Sequence, residues 1–189
     1  MVHSVIFIPG LGNRKAGIML LTKHWKRYGF EPIVHSVGWN SEPWQPKEKR
    51  LVELIGSLSA AGNRVSIVGI SAGASAAMNA FALRKEIIHR AISLCGCISV
   101  RDAKTKAGLE SRAFRESLTA FETQERNLSS ADRQRILTLY PRFGDGRIER
   151  DDSLLEGSRH VEIPCGGHAL SIGLTLTIFS QPLILLLRQ

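Results

Sequence analysis

The sequence predicts an α/β protein, a mostly parallel sheet with helices on both faces. Short apolar runs of strand length alternate along the chain with segments of helical period, which is the pattern of repeated strand–helix units. Glycine outnumbers proline 17 to 7, as expected where strands and helices turn tightly into one another. At 189 residues the chain is long enough for one well-buried core and short for two, so the expectation is a single domain over residues 1–189.

Val5–Ile8 is the first strand and stops at Pro9-Gly10-Leu11-Gly12-Asn13, a loop whose glycines let backbone N–H groups point into a cavity. Ile18, Leu21, Trp25 and Tyr28 follow at helical spacing, with Gly29 placed to end that helix, and Glu31–Trp39 reads as a second strand. Lys47–Ala61 carries Leu51, Leu54, Ile55 and Leu58 on one face and closes at Gly62-Asn63. The third strand begins at Val65 and runs into Gly69-Ile70-Ser71-Ala72-Gly73, then into an alanine-rich helix over Ala74–Leu83. Ala91–Gly96 and Ile136–Tyr140 are read as strands four and five. Between them lies a polar, helix-prone insertion at about 100–135, whose stripe of Phe114, Leu118 and Phe121 suits a minimal cap or an ordinary crossover helix. Val161–Pro164 is the last strand, followed by Cys165-Gly166-Gly167-His168.

Residues 169–187 carry no charge and are long enough to cross a bilayer. Ser171, Gly173, Thr175, Thr177, Ser180, Gln181 and Pro182 dilute that run, so a terminal helix packed on the sheet is the expectation, and no membrane partner. The amino end lacks a basic region before a long apolar core and reads as a strand, which makes cytoplasmic residence the default. Three cysteines, two of them one residue apart in an apolar run, do not make a disulfide framework. The net charge of +8 is spread over Lys47-Glu48-Lys49-Arg50, Arg101–Lys106 and Arg133–Arg150 beside acids, and reads as solvated surface without specific nucleic-acid binding.

The chemistry lies in three loops. In a parallel sheet the site sits beyond the carboxyl ends of the strands, where Gly10–Asn13, Ser71, Asp145 and His168 fall. A serine on a sharp strand-to-helix turn holds its hydroxyl clear of the sheet, and the flanking glycines permit the close passage of strand and helix. A hydroxyl becomes a nucleophile at neutral pH only with a neutral imidazole to take its proton, and that imidazole needs a carboxylate to fix its tautomer. Asp145 follows the fifth strand at the right distance, with Glu149, Asp151 and Asp152 also within reach. His168 follows the last strand through a glycine pair. His3, His24, His35, His89 and His160 fall inside or beside strands and helices and read as packing or surface residues.

Other chemistries fit poorly. A dinucleotide fingerprint starting at Gly10 would need glycine at Lys15, and a phosphate loop from Gly12 to Gly17 has Ile18-Met19 where Lys and Ser or Thr are required. Cys95-Gly96-Cys97 has no ligand partners at zinc spacing.

The order of these parts resembles the α/β-hydrolase superfamily, specifically its small, nearly lidless bacterial esterases and lipases, over almost the whole chain. Phe7-Ile8-Pro9-Gly10-Leu11-Gly12 resembles the first oxyanion loop, Gly69–Gly73 the nucleophile elbow, and Asp145 to Gly167-His168 the acid-to-histidine segment. The resemblance implies Ser71 as nucleophile, Asp145 as orienting acid and His168 as general base, with the Leu11 and Ala72 N–H groups stabilising the oxyanion. It implies a small-molecule ester substrate, an acyl-enzyme intermediate and no cofactor or metal. Pro9 stands where the family often has histidine, and the short polar insertion fits small esters better than fat droplets. Thioesterase, acyltransferase and peptidase activity would use the same triad. A noncatalytic binding or membrane-associated protein could use the same scaffold. Leu11, Trp39, Trp44 and Leu170 are candidates for the mouth of an acyl pocket or for ordinary packing.

Overall fold

The computed structural model describes residues 1–40, 42–101, 106 and 109–189. Part of the insertion expected at about 100–135 therefore lies outside the described residues. The six strands are β1 (His3–Ile8), β2 (Phe30–Val34), β3 (Arg64–Ile70), β4 (Ile88–Leu94), β5 (Ile136–Pro141) and β6 (Arg159–Ile163). They form one sheet in the order β2-β1-β3-β4-β5-β6, with every neighbouring pair parallel.

Strand periodicity sorts the side chains into two cores. Ile6 and Ile8 of β1 and Ile67 of β3 face one layer, whereas Val5, Phe7, Val68 and Ile70 face the other. The first layer is built by α2 (Trp44–Ala60), α3 (Gly73–Leu83) and α4 (Arg112–Gln124). The stripe of Phe114, Leu118 and Phe121 on α4 is buried in it, so this helix is the outer packing of the β4–β5 crossover. The second layer holds α1 (Lys15–Thr22) with the 3-10 turn Lys23–Tyr28, α7 (His168–Leu176) and α8 (Gln181–Arg188). Two single-turn helices, α5 (Ser130–Arg133) and α6 (Arg150–Ser153), lie in the connections around β5.

Three sequence expectations change. The second strand ends at Val34 instead of running to Trp39. Beyond it the chain is held by tertiary bonds, with Lys47 Nζ donating to the Gly38 carbonyl and Trp39 Nε1 to that of Pro9. Lys47 is accordingly buried, not part of a solvated charge run; burial lowers its pKa against the pull of Glu42. The terminal segment is two helices meeting at 54° rather than one. The ladder breaks near Thr177, Pro182 restarts it, and Trp25 Nε1 donates to the Leu176 carbonyl at 2.9 Å. Among the described residues no single helix is long and apolar enough to cross a membrane, although α7 and α8 together pass by length and composition.

Candidate active site

All strands point one way, so every carboxyl end lies on one rim. After β1 the chain goes outward to β2, and after β3 it goes the other way, which puts the topological switch point between β1 and β3, where α/β sheets open a crevice. Gly10 follows β1 and Ser71 follows β3.

Ser71 has φ of 56°, a left-handed conformation that costs a non-glycine residue roughly 1–2 kcal/mol. Several contacts hold it there. Its N–H donates to the Leu94 carbonyl at 3.1 Å, and its own carbonyl accepts from Ala74 at 3.0 Å and Cys97 at 3.3 Å. The glycines around it are required by space. A Cβ on Gly73 would lie 2.1 Å from the Ile8 carbonyl oxygen, and one on Gly69 would lie 2.4 Å from the Ala74 Cα. A Cβ on Gly10 would meet the Ser71 Cβ at 2.8 Å and Oγ at 3.1 Å. Loop 9–13 thus lies directly against the serine, held by Asn13 N–H to the Gly10 carbonyl and by Trp39 to Pro9. Among the described residues neither the Leu11 nor the Ala72 N–H donates to a backbone acceptor. Both belong to segments touching the serine, and Ala72 caps the amino end of α3, whose dipole favours negative charge.

Asp145 and His168 meet on the same rim. His168 Nδ1 lies 2.8 and 2.9 Å from the two Asp145 carboxylate oxygens. A carboxylate only accepts, so Nδ1 carries the proton and Nε2 is left as the basic nitrogen. The Asp145 side chain is fully buried and that of His168 is 11% exposed. Asp145 Oδ1 also accepts the N–H groups of Arg147 and Ile148 at 3.2 and 3.1 Å. The pairing follows from the backbone. The loops after β5 and β6 are zipped by Arg142 N–H to Ile163, Phe143 N–H to Cys165 and Gly167 N–H to Gly144. A Cβ on Gly166 would press on the Phe143 carbonyl at 3.1 Å.

The other carboxylates are placed elsewhere. Asp152 receives the Arg101 N–H, and burial raises its pKa. Glu149 and Asp151 sit at the start of α6. Among the described residues no hydrogen bond joins the His168 ring to Ser71; the ring bonds to the Asp145 oxygens. The segment after β4 adjoins both neighbourhoods. Cys97 N–H reaches the Ser71 carbonyl, and the charge of Asp145, after burial, pushes the Cys95 thiol far above its usual range.

Of the suggested mouth residues, Trp39 and Trp44 are core. Their rings stack at 6.1 Å with an interplanar angle of 10°. Leu11 and Leu170 are exposed near the serine and the histidine. Sequence reasoning missed Cys95, a buried residue that, like the half-buried Ser71, has a positive φ, 45°. It also missed Gly96, where a Cβ would clash with Ala74 Cβ at 2.2 Å and Ser93 Oγ at 2.3 Å. Gly96, which closes the expected fourth strand Ala91–Gly96, was the available signal. Among the described residues no group of histidine, cysteine or carboxylate side chains could hold a metal ion.

No protein-family model and no curated protein sequence matches the chain. Solved structures do. A chain of the metagenome-derived lipolytic enzymes LipS and LipT superposes with TM-score 0.69 at 11% identity, covering 100% of this chain and 94% of that one. Est1E from Butyrivibrio proteoclasticus gives TM-score 0.68 at 12% identity over 96% and 88%. The monoacylglycerol lipase of Paleococcus ferrophilus gives 0.62 at 12% over 97% and 93%. The chain has the α/β-hydrolase fold.

Proposed function

We propose that the protein is a serine hydrolase that cleaves small carboxylic esters through an acyl-enzyme. The observation that carries this reading is the buried Asp145 carboxylate clasping His168 Nδ1 on the rim where Ser71 stands in a left-handed turn. The lipolytic names among the structural neighbours support the bond class.

In this mechanism Ser71 Oγ attacks the ester carbonyl carbon while His168 Nε2 takes its proton. The carbonyl π electrons move onto oxygen, and the Leu11 and Ala72 N–H groups stabilise that oxyanion together with the positive end of α3. Collapse of the tetrahedral species breaks the bond to the alcohol, which leaves with the proton from His168. Water then attacks the acyl carbon, again deprotonated by His168, and the carboxylic acid departs as Ser71 is restored. Asp145 stays ionised and steadies the imidazolium. For the transfer the imidazole must close on Ser71 to hydrogen-bond distance, a contact that often tightens only with substrate bound. Small acyl groups are favoured because the apolar stripe of α4 is buried in the core rather than turned toward a bound acyl chain.

The test is a fluorophosphonate probe with peptide mapping. Label on Ser71, lost in Ser71→Ala and strongly reduced in His168→Ala, is the expected result. Label elsewhere, or none on folded protein, removes the proposal. A panel of acetyl, butyryl and longer esters, with thioester and amide analogues, then defines the acyl donor.

A further inference from the structure

We infer that the helical layer formed by α1, α7 and α8 docks on an anionic phospholipid surface. Two independent properties of that layer point to it. The first is charge. Residues 14–28 and 168–188 contain no aspartate or glutamate, yet carry Arg14, Lys15, Lys23, Lys26, Arg27 and Arg188. Lys26 pairs with Glu31 of β2 at 2.9 Å, while among the described residues no carboxylate pairs with Lys15, Lys23 or Arg27. The opposite layer is mixed, with Lys49–Glu53 on α2 and Arg112–Glu116 on α4.

The second property is exposed apolar surface on the same elements. Met19 and Leu20 of α1 are 61% and 74% exposed, and Leu170 of α7 and Ile178 after it are 59% and 73% exposed. Leu185 on α8 is exposed as well. α1 packs beside α7, and Arg188 of α8 reaches the Tyr28 carbonyl and lies over its ring, so the three elements adjoin in one layer. Lysines and arginines flanking exposed leucine and methionine, without acids, are what an interfacial helix presents to an anionic leaflet.

Docking differs from insertion. Leu176, Leu183, Ile184, Leu186 and Leu187 are buried against the sheet, and Trp25 is bonded to the Leu176 carbonyl. Pulling α7 and α8 out to span a bilayer would empty that core, whereas laying the outer face on lipid disturbs nothing. Each exposed leucine or methionine that enters the headgroup boundary gains apolar burial, and each unpaired cation gains attraction to lipid phosphate.

The experiment is cosedimentation of the full chain with extruded phosphatidylcholine vesicles with and without about 30% phosphatidylglycerol. Binding should be at least about tenfold tighter with the anionic lipid and should weaken as NaCl is raised to about 0.5 M. Met19→Ser with Leu20→Ser, and separately Lys23→Glu with Arg27→Glu, should each weaken binding by about tenfold or more. Lys49→Glu on the opposite layer should leave it unchanged, with circular dichroism confirming that every variant is folded. Ser71→Ala should bind vesicles like the wild type, so a failed hydrolase assignment would not be mistaken for failed docking. Equal binding to both vesicle types, no binding, or equal loss with Lys49→Glu overturns the inference. So does dependence on the charges without dependence on Met19 and Leu20, which would mark a general polyanion site. A wild-type dimer that Leu20→Ser converts to monomer, without vesicle binding, would assign the face to a second copy and overturn it too.

Discussion

Replacing Asp145 with asparagine separates the role of its charge from the role of its shape. The side chain is fully buried, and its Oδ1 accepts the Arg147 and Ile148 N–H groups. Asparagine keeps an oxygen there, so the loop should hold, at a stability cost of about 1–2 kcal/mol for a charge-assisted bond exchanged for a neutral one. The change falls on the other oxygen, which becomes an NH2 facing His168 Nδ1 at about the present 2.9 Å. Nδ1 keeps Oδ1 as one acceptor at 2.8 Å, but the carboxylate charge is gone and the new NH2 favours the tautomer protonated on Nε2, the nitrogen that accepts from Ser71 in the proposed mechanism. Wrong-tautomer variants of such triads lose about 10⁴ in turnover, equivalent to about 5.5 kcal/mol of barrier. The assay is kcat on a small chromogenic ester beside a urea unfolding curve. Asp152→Asn is the control, because that carboxylate accepts from Arg101 rather than from the imidazole. A folded Asp145→Asn enzyme within about tenfold of wild type, or an Asp152→Asn enzyme equally damaged, would refute the reasoning.

Ser71→Gly should abolish hydrolysis yet be more stable than Ser71→Ala by about 1 kcal/mol, because only glycine relaxes at φ 56°; equal melting temperatures would show no strain. Gly10→Ala should fold but lose about a hundredfold in kcat, since its Cβ must displace Ser71 from 2.8 Å, whereas Gly73→Ala should cost about 3 kcal/mol or more against the Ile8 carbonyl; wild-type turnover in Gly10→Ala would contradict this packing. At the amino edge of the sheet, His3 and His89 are held near pKa 4, by burial first, then for His3 by His89 and Arg64, and for His89 by Arg90, Arg64 and Arg135. The unfolded rings bind protons near 6.5, so between pH 6.5 and 4 the unfolded state binds more protons and stability falls with acid. Because both rings are partly exposed, the pair should contribute only about 1–2 kcal/mol of that loss. His3→Gln with His89→Gln should lessen the drop between pH 7 and about 4.5 in urea titrations, and an undiminished drop would rule these rings out.

What could be read in the sequence was what period and punctuation encode. β3, its turn at Ser71 and the helix beyond are written locally, as a β-branched run, two glycines and a run of alanines. Features decided by distant partners were not legible. Lys47 stands among charged residues and looks solvated, and it is buried because the carbonyl of Gly38 receives its ammonium. Which carboxylate faces His168 is likewise a property of two loops. Asp145, Glu149, Asp151 and Asp152 are alike in sequence, and the choice is made by backbone bonds such as Gly167 N–H to Gly144. The second strand stops at Val34 because the following residues serve Trp39 and the Pro9 loop, a demand absent from the local pattern.

The rim also determines where motion can occur. Ser71 and Cys95 end the adjacent strands β3 and β4 in left-handed conformations, and such strain persists only where surrounding contacts over-determine it. Gly96 is wedged against Ala74 and Ser93, and Cys97 is bonded to the Ser71 carbonyl, so the serine cannot travel without unpacking α3. The histidine is held differently. It opens α7 after Gly166-Gly167, and its loop is tied to the Asp145 loop rather than to the central strands. Any adjustment of the imidazole toward Ser71 in the proposed mechanism would therefore fall to His168 and Asp145 together, preserving their bond while the serine stays in place. Within the proposed mechanism, substitutions that loosen the Gly144–Gly167 clasp should lower kcat more than they lower affinity for ester, because they disturb the base and leave the crevice between β1 and β3 intact.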